Sequence, residues 1–529
     1  MFYECLNPEC FCVFQSRLIP SKCPECGGTV LQSIGESSAP QSEYTRKALV
    51  ERGLSLFSSE TSREERHQAY RCFREAAEMA DPDGMFYLGL CFEFGYGIEA
   101  DFQQAVQCYQ MASEAGNHAG TCSLAYCYLN GIGVEEEPVR AAELYRKAAE
   151  GGNLRAQTNL GVSYSKGIGV PYSPRKAFFW YYLASGFGYT PAMLRLAVCY
   201  KNGFGVKKNL KEALRLYRIL ENMPEPEPEA LVAIGSFYEA GEAGLAQDGE
   251  KAWEYYQWAA AYGYPEAQWR MGRCCEHGIG VQWDMDRAVQ YYMEAARGGS
   301  PEAQNELGKC YEAGKGGMKR DLDRAFDCYR LAALRGSPEG AFRLGLCYEK
   351  GMGTEPDMER AAKMYQRASG KENRYAQYFL GKAYRRGRGV EKDREKAFYW
   401  MKRSADNGCA EASVMLGRWY FHQNRLSEAF RFFRKYEKQT GGKSACSCFY
   451  LGRCHLKNVS VQNRKKGISL LKMAESFHQK RYSRMAADLL RRLEQPRGAG
   501  PPTYQPEILQ EKGGTVPASS HAKGERDSG

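Results

Sequence analysis

An apolar residue followed by Gly or Ala returns along most of this chain at nearly constant spacing, and no other feature limits its possible folds so strictly. The pair stands at Leu88-Gly89, Leu124-Ala125, Leu160-Gly161, Leu196-Ala197, Ile234-Gly235 and Met271-Gly272. It continues at Leu307-Gly308, Leu344-Gly345, Leu380-Gly381, Leu416-Gly417 and Leu451-Gly452. Successive pairs are 36, 36, 36, 38, 37, 36, 37, 36, 36 and 35 residues apart. A period in this range marks a stacked-repeat architecture, in which each unit buries its apolar face only against its neighbours.

The stretch 303–336 shows how one unit folds. Ala303, Leu307, Cys310 and Tyr311 fall at i, i+4, i+7 and i+8, one apolar face of a first helix. Gly314 to Gly317 break that helix, since glycine reaches the left-handed backbone that ends helices. Asp321 or Asp323 can cap a second helix, where Ala325, Tyr329, Ala332 and Ala333 repeat the spacing. Gly336 ends it and Pro338 opens the next connection. Small residues at Gly308, Ala325 and Ala332 let the two helices approach closely. The expected fold class is therefore all-α: an α/α solenoid of about ten to eleven helical hairpins.

A Gly-x-Gly turn joins the helices at Gly95-Tyr96-Gly97, Gly131-Ile132-Gly133, Gly167-Ile168-Gly169, Gly203-Phe204-Gly205, Gly278-Ile279-Gly280 and Gly387-Arg388-Gly389. With the Leu-Gly-x-x-Tyr first helix and a second helix such as Ala141-Ala142-Glu143-Leu144-Tyr145-Arg146-Lys147-Ala148-Ala149, the pattern resembles the Sel-1-like repeat family. That family is a relative of tetratricopeptide repeats with a longer, glycine-bearing turn. The resemblance implies a superhelical adaptor that holds protein complexes together, and it implies no catalytic residues.

Departures from the pattern give the boundaries. Residues 84–480 are expected to form the repeat solenoid, preceded by a helical cap over 44–83 and followed by a basic capping helix over 481–495. The unit near 230–262 has an enlarged turn from Gly241 to Gly249, and His422-Gln423-Asn424-Arg425 replaces the glycine turn in the unit at 412–440. Met223-Pro224-Glu225-Pro226-Glu227-Pro228-Glu229 reads as a stiff bend between repeats. Residues 496–529, rich in Pro, Gly and Ser, read as disordered.

Five of the 20 cysteines lie in the first 26 residues. Cys5-x4-Cys10 and Cys23-x2-Cys26 form two knuckles twelve residues apart, a spacing that suits tetrahedral zinc. A segment this short has too little core to fold without a metal. Residues 1–31 thus read as a module resembling a zinc ribbon, with structural zinc on Cys5, Cys10, Cys23 and Cys26, and 32–43 as a linker. Cys10-Phe11-Cys12 leaves open whether Cys12 replaces Cys5 or Cys10. The cysteines Cys91, Cys127, Cys199, Cys274, Cys310, Cys347 and Cys454 recur in one slot of the first helix, where a small apolar residue is wanted and a free thiol serves as one.

Charge is uneven. Residues 371–497 hold 30 Lys/Arg against 11 Asp/Glu, leaving 43 against 52 elsewhere. That excess points to acidic protein partners for the last third. A nucleic-acid-associated protein is the alternative, using the zinc module with Lys382, Arg385, Arg386, Arg388, Lys392, Arg394, Lys396, Arg431, Arg434, Lys435 and Arg464 to Lys466, should these share one surface. No apolar run reaches the length of a membrane helix, and Met1-Phe2-Tyr3-Glu4-Cys5 lacks the start of a signal peptide, so a cytoplasmic location is expected. Enzyme signatures are weak. Ser173-Pro174-Arg175-Lys176 matches a Ser-x-x-Lys pattern without its partner motifs, and Ser173 more simply caps a helix. Gly442-Lys443-Ser444 lacks the upstream glycine of a phosphate loop. The expected function is non-enzymatic: a scaffold binding other proteins on the concave face of the solenoid. Its selecting positions include Tyr164, Tyr200, Tyr238, Tyr311, Tyr348 and Tyr384 if their rings reach that face.

Overall fold

The computed structural model describes residues 2–4, 13–15, 41–57, 61–457, 461–477 and 481–494. Two short strands, β1 (Phe2–Glu4) and β2 (Val13–Gln15), pair antiparallel with Tyr3 opposite Phe14. The other described elements are 25 helices, which build an all-α solenoid of hairpins. Contacts divide the chain into two compact units, 1–357 and 358–529.

In the first unit the hairpin of Pro301–Ala313 and Leu322–Leu334 shows why the local sequence folds as it does. The Ser300 hydroxyl accepts from the Ala303 amide at 3.1 Å, and Pro301 supplies a first helical residue that has no amide hydrogen to satisfy. Gly314 ends the helix in the left-handed conformation, with φ 65°. Asp321, rather than Asp323, caps the second helix by accepting from the Arg324 amide at 2.9 Å. Ser173 stands at the cap position of Pro174–Ser185, but its hydroxyl makes no capping bond, so the capping role expected for it does not hold.

The Leu-Gly ladder has a steric cause. At Gly89, Gly161, Gly235, Gly272 and Gly308 the ring of a second-helix tyrosine occupies the space where a side chain on that glycine would begin. A Cβ on Gly161 would lie 2.5 Å from the Tyr181 ring, and one on Gly235 would lie 2.7 Å from Tyr256. Tyr256, Tyr292 and Tyr329 are fully buried there. The second turn glycine works differently. Gly169 has φ 67°, and a Cβ on it would run into the carbonyl oxygen of Pro138, the first residue of the preceding second helix (Pro138–Glu150). Gly133 meets the Phe102 carbonyl and Gly205 the Pro174 carbonyl in the same way. Repeats therefore seat on one another through main chain.

Ahead of the ladder, Gln41–Leu56 and Arg63–Glu78 form two helices. Ser62 and Glu65 close a reciprocal capping box at the start of the second. The proline-rich stretch connects Leu210–Glu221 to Pro228–Ala240, with Pro228 as the first residue of the latter. The seven cysteines of the shared slot are all buried and free. Burial pushes the thiols of Cys127, Cys274, Cys310 and Cys347 up to about 12, as expected of packing groups rather than nucleophiles.

The second unit starts with Met358–Gly370 and runs through three hairpins to Tyr482–Glu494. Their first helices are Arg374–Arg386, Ala410–His422 and Ala445–Lys457, and their second helices are Arg394–Asp406, Leu426–Thr440 and Val461–Ser476. The tyrosine slot is now filled by apolar groups: Met401 meets Gly381, Phe433 meets Gly417, and Leu471 meets Gly452. In the turn without glycine, Asn424 takes the left-handed position at φ 59°. Cys5, Cys10, Cys12, Cys23 and Cys26, with 496–529, lie outside the described residues.

Candidate functional site

Within each unit, first helices of successive repeats touch one another. Pro228–Ala240 meets Pro265–His277, Pro301–Ala313 meets Pro338–Lys350, and Ala410–His422 meets Ala445–Lys457. Where they meet, the outward positions of neighbouring first helices lie side by side in a layer.

The six tyrosines singled out from the sequence belong more to the hairpins than to that layer. Tyr164 is buried and the other five are half-buried. Cations near the start of the second helix sit over four of the rings: Lys176 at 5.2 Å from Tyr164, Lys251 at 5.4 Å from Tyr238, Arg324 at 5.7 Å from Tyr311 and Lys396 at 5.6 Å from Tyr384. Tyr200 and Tyr348 pack edge-on against Phe178 and Phe326.

In three successive repeats of the first unit the layer neutralises itself, whereas Lys201 on Thr190–Asn202 lies over the Phe237 ring at 5.5 Å. Glu239, Glu276 and Glu312 stand four residues after their repeat glycines. They accept from the hydroxyls of Tyr256, Tyr292 and Tyr329 at 2.6, 2.6 and 2.9 Å. Arg270 and Arg273 approach Glu239 at 3.7 and 3.8 Å, Arg343 approaches Glu312 at 3.9 Å, and Lys309 pairs with Glu306 at 2.7 Å. Positive and negative side chains thus alternate between neighbouring repeats.

The second unit differs. The residues four beyond Gly381, Gly417 and Gly452 are Arg385, Phe421 and Leu456, so the glutamates vanish together with the tyrosine hydroxyls that used them. What remains on Ala410–His422 and Ala445–Lys457 is Arg418, His422, Arg453 and Lys457. Arg453 lies 4.6 Å from the Phe421 ring and 5.4 Å from Phe449, and Lys457 lies 4.8 Å from Phe421. Tyr450 and Tyr482 hold the Arg418 guanidinium in its charged form, and Lys457 donates to the Asn424 side-chain oxygen at 3.1 Å. Burial lowers the pKa of His422, and Arg418, Arg453 and Lys457 lower it further. Among the described residues none of these four side chains makes an ion pair with a carboxylate.

Sequence reasoning missed this cluster. The signal was present: Arg418 and Arg453 each follow the repeat glycine, and His422 and Lys457 each stand five residues after it. The basic residues it did select are spread over different elements. Lys382, Arg385 and Arg386 lie on a first helix, Arg388 and Lys392 in its turn, and Arg394, Lys396, Arg431, Arg434, Lys435 and Arg464 to Lys466 on second helices. Three of them are neutralised locally, by Lys396–Asp393 at 3.3 Å, Arg434–Glu437 at 2.9 Å and Lys435–Asp406 at 2.8 Å. They do not form one row.

Ten stretches match the Sel1 repeat model: 57–81, 82–117, 119–153, 154–185, 190–220, 228–264, 265–300, 301–337, 338–372 and 374–409. The chain belongs to the Sel1 repeat family. The first of its Sel1 repeats thus begins ahead of the Leu-Gly ladder, and the hairpins after 409 extend the fold past the matched stretches. A Sel1 repeat protein from Oxalobacter formigenes is 31% identical over 46% of this chain and 99% of its own, with a TM-score of 0.41. The protective antigen c5321 of uropathogenic Escherichia coli, which displays an SLR fold, is 25% identical over 87% of this chain and 97% of its own, with a TM-score of 0.45. Human IFIT1, solved as a dimer with PPP-AAAA, is 14% identical over 77% of this chain and 96% of its own, with a TM-score of 0.37. No curated protein matches the chain. Sel1 repeat folds generally serve as protein-interaction scaffolds. Among the described residues no helix is long and apolar enough to cross a membrane.

Proposed function

We propose that this Sel1 repeat protein is a non-enzymatic scaffold that binds other proteins along the concave face lined by its first helices. The observation that carries this reading is the division of labour within each hairpin. Tyrosine, glycine, alanine and cysteine are consumed by packing, which leaves the polar and charged side chains of the first-helix layer to differ from repeat to repeat. Fifteen described cysteines are free, which suits a reducing compartment, and we place the protein in the cytoplasm. Capture of partners from a lysate by the tagged full chain, compared with the chain lacking 1–31, tests the scaffold. Stoichiometric recovery of one or a few proteins is expected, and recovery of a turned-over substrate in their place would overturn it.

The N-terminal module is proposed to hold one structural zinc through Cys5, Cys10, Cys23 and Cys26. The donor set fits: four thiolates suit tetrahedral zinc, and Cys5, Cys10 and Cys12 fall in sequence between the paired strands β1 and β2. Metal analysis of the full chain should return about one zinc per chain, lost in Cys23→Ser/Cys26→Ser. Less than about half an equivalent in the unmodified chain sinks the idea.

A further inference from the structure

We propose that the cluster of Arg418, His422, Arg453 and Lys457 on the helices Ala410–His422 and Ala445–Lys457 is a docking surface for an acidic protein segment, a run of Asp and Glu side chains on the partner. The inference rests on the scaffold reading and names the partner's chemistry.

Register between repeats carries the proposal. In the first unit Arg273 follows its repeat glycine and meets Glu239, which stands four residues beyond the glycine of the preceding repeat. Arg453 holds the same place as Arg273, but the corresponding residue of the preceding repeat is Phe421, and the guanidinium lies over that ring at 4.6 Å. Arg273 is thus neutralised by the preceding repeat, whereas Arg453 in the same register meets an aromatic face there. The missing carboxylates are those a partner would bring. Arg418 and Arg453 are half-buried, His422 and Lys457 exposed, so an incoming carboxylate reaches a cation that is partly desolvated and already ordered.

The same geometry favours carboxylates over phosphates. Single-stranded nucleic acid binds where open aromatic rings stack bases and cations track the backbone over many nucleotides. Here Phe421 is buried and covered by Arg453 and Lys457, and the remaining basic residues of the unit are divided among the first helix Arg374–Arg386, turns and second helices, with no open ring among the described residues beside them in this cluster for a base to stack on.

The test is fluorescence anisotropy with the purified full chain and a labelled twelve-residue Asp/Glu-rich peptide, against an oligonucleotide of equal charge. The peptide should bind, and Arg418→Gln/Arg453→Gln should weaken it at least about tenfold, which is about 1.4 kcal/mol. Because those two side chains also pack, His422→Glu/Lys457→Glu introduces negative charge at the two exposed positions and should weaken the peptide at least as much while leaving helicity unchanged. Three outcomes overturn the site: no binding of the peptide, binding indifferent to both double variants, or tighter binding of the oligonucleotide that the same variants abolish. The capture experiment reads the scaffold separately. A partner retained undiminished by His422→Glu/Lys457→Glu overturns this surface and leaves the scaffold standing, whereas peptide binding without any captured partner does the reverse.

Discussion

Tyr145 and Tyr256 occupy equivalent places and differ in one atom's fate. The Tyr256 hydroxyl donates to Glu239 at 2.6 Å, whereas Leu129 stands where Tyr145 would need its glutamate, and the Tyr145 hydroxyl is buried without a partner. A buried donor left unsatisfied costs about 1–3 kcal/mol, and one well paired to a carboxylate contributes about 1.5–3. Tyr145→Phe should therefore leave the urea midpoint unchanged or raise it, and Tyr256→Phe should lower it. Equal losses from the two substitutions would show that the hydroxyls are not what distinguishes the sites. His422 gives a second residue-scale test. Burial and three cations lower its pKa in the folded chain, so the neutral ring is favoured there. Below about pH 6.5 the unfolded chain takes up the proton first, and stability held above that pH is lost as pH falls. Between about pH 7.5 and 5.5 the native chain should lose more melting temperature than His422→Gln. Parallel curves would contradict the shift.

At the scale of the element, three glycines separate three costs. Gly152 has φ 87° and open space where a methyl group would stand, Gly161 faces the Tyr181 ring at 2.5 Å, and Gly169 combines φ 67° with a main-chain carbonyl in its way. Alanine at Gly152 should cost about 1 kcal/mol from backbone strain alone. At Gly161 it should cost about 1–3 kcal/mol, because a ring can shift, and the repeats with Ala125 and Ala197 in this slot accommodate a methyl group. Gly169→Ala should be the most damaging of the three. Thermal melts of the single variants check the order, and a harmless Gly169→Ala would refute the main-chain seat. This level was also the most legible in the sequence. Glycine has few substitutes in a left-handed turn or under a ring, so the hairpin and its period could be read directly. The charge pattern on the first-helix layer could not. Arg273 and Glu239 meet across a repeat boundary, and which cations share a layer depends on helix phase rather than on local density. A search for basic runs therefore selected Arg385 to Lys396 and passed over Arg418 and Arg453. Ser173 failed for a smaller reason: residue type suggested a cap, and the hydroxyl makes no such bond.

Taken as a whole molecule, a stack of repeats draws its stability from each hairpin and from the interface to the next. A first helix without its second helix therefore adds exposed apolar surface and little else. Within the first unit, a fragment of residues 41–300 ends after a completed hairpin, and one of 41–313 ends after the lone helix Pro301–Ala313. The shorter fragment should be the more soluble and should melt no lower than the longer one. A higher melting temperature for 41–313 would mean that single helices, not hairpins, are the stabilising units.

The contact of Gly169 with the Pro138 carbonyl, repeated at Gly133 and Gly205, involves no side chain. A joint made of peptide groups is the same whichever two repeats it joins. Copying or deleting one whole 36-residue cassette would leave this main-chain joint intact between its former neighbours. Copy number in such a gene can then change by unequal exchange without any compensating substitution, and the length of the binding layer becomes a trait that evolves separately from its specificity.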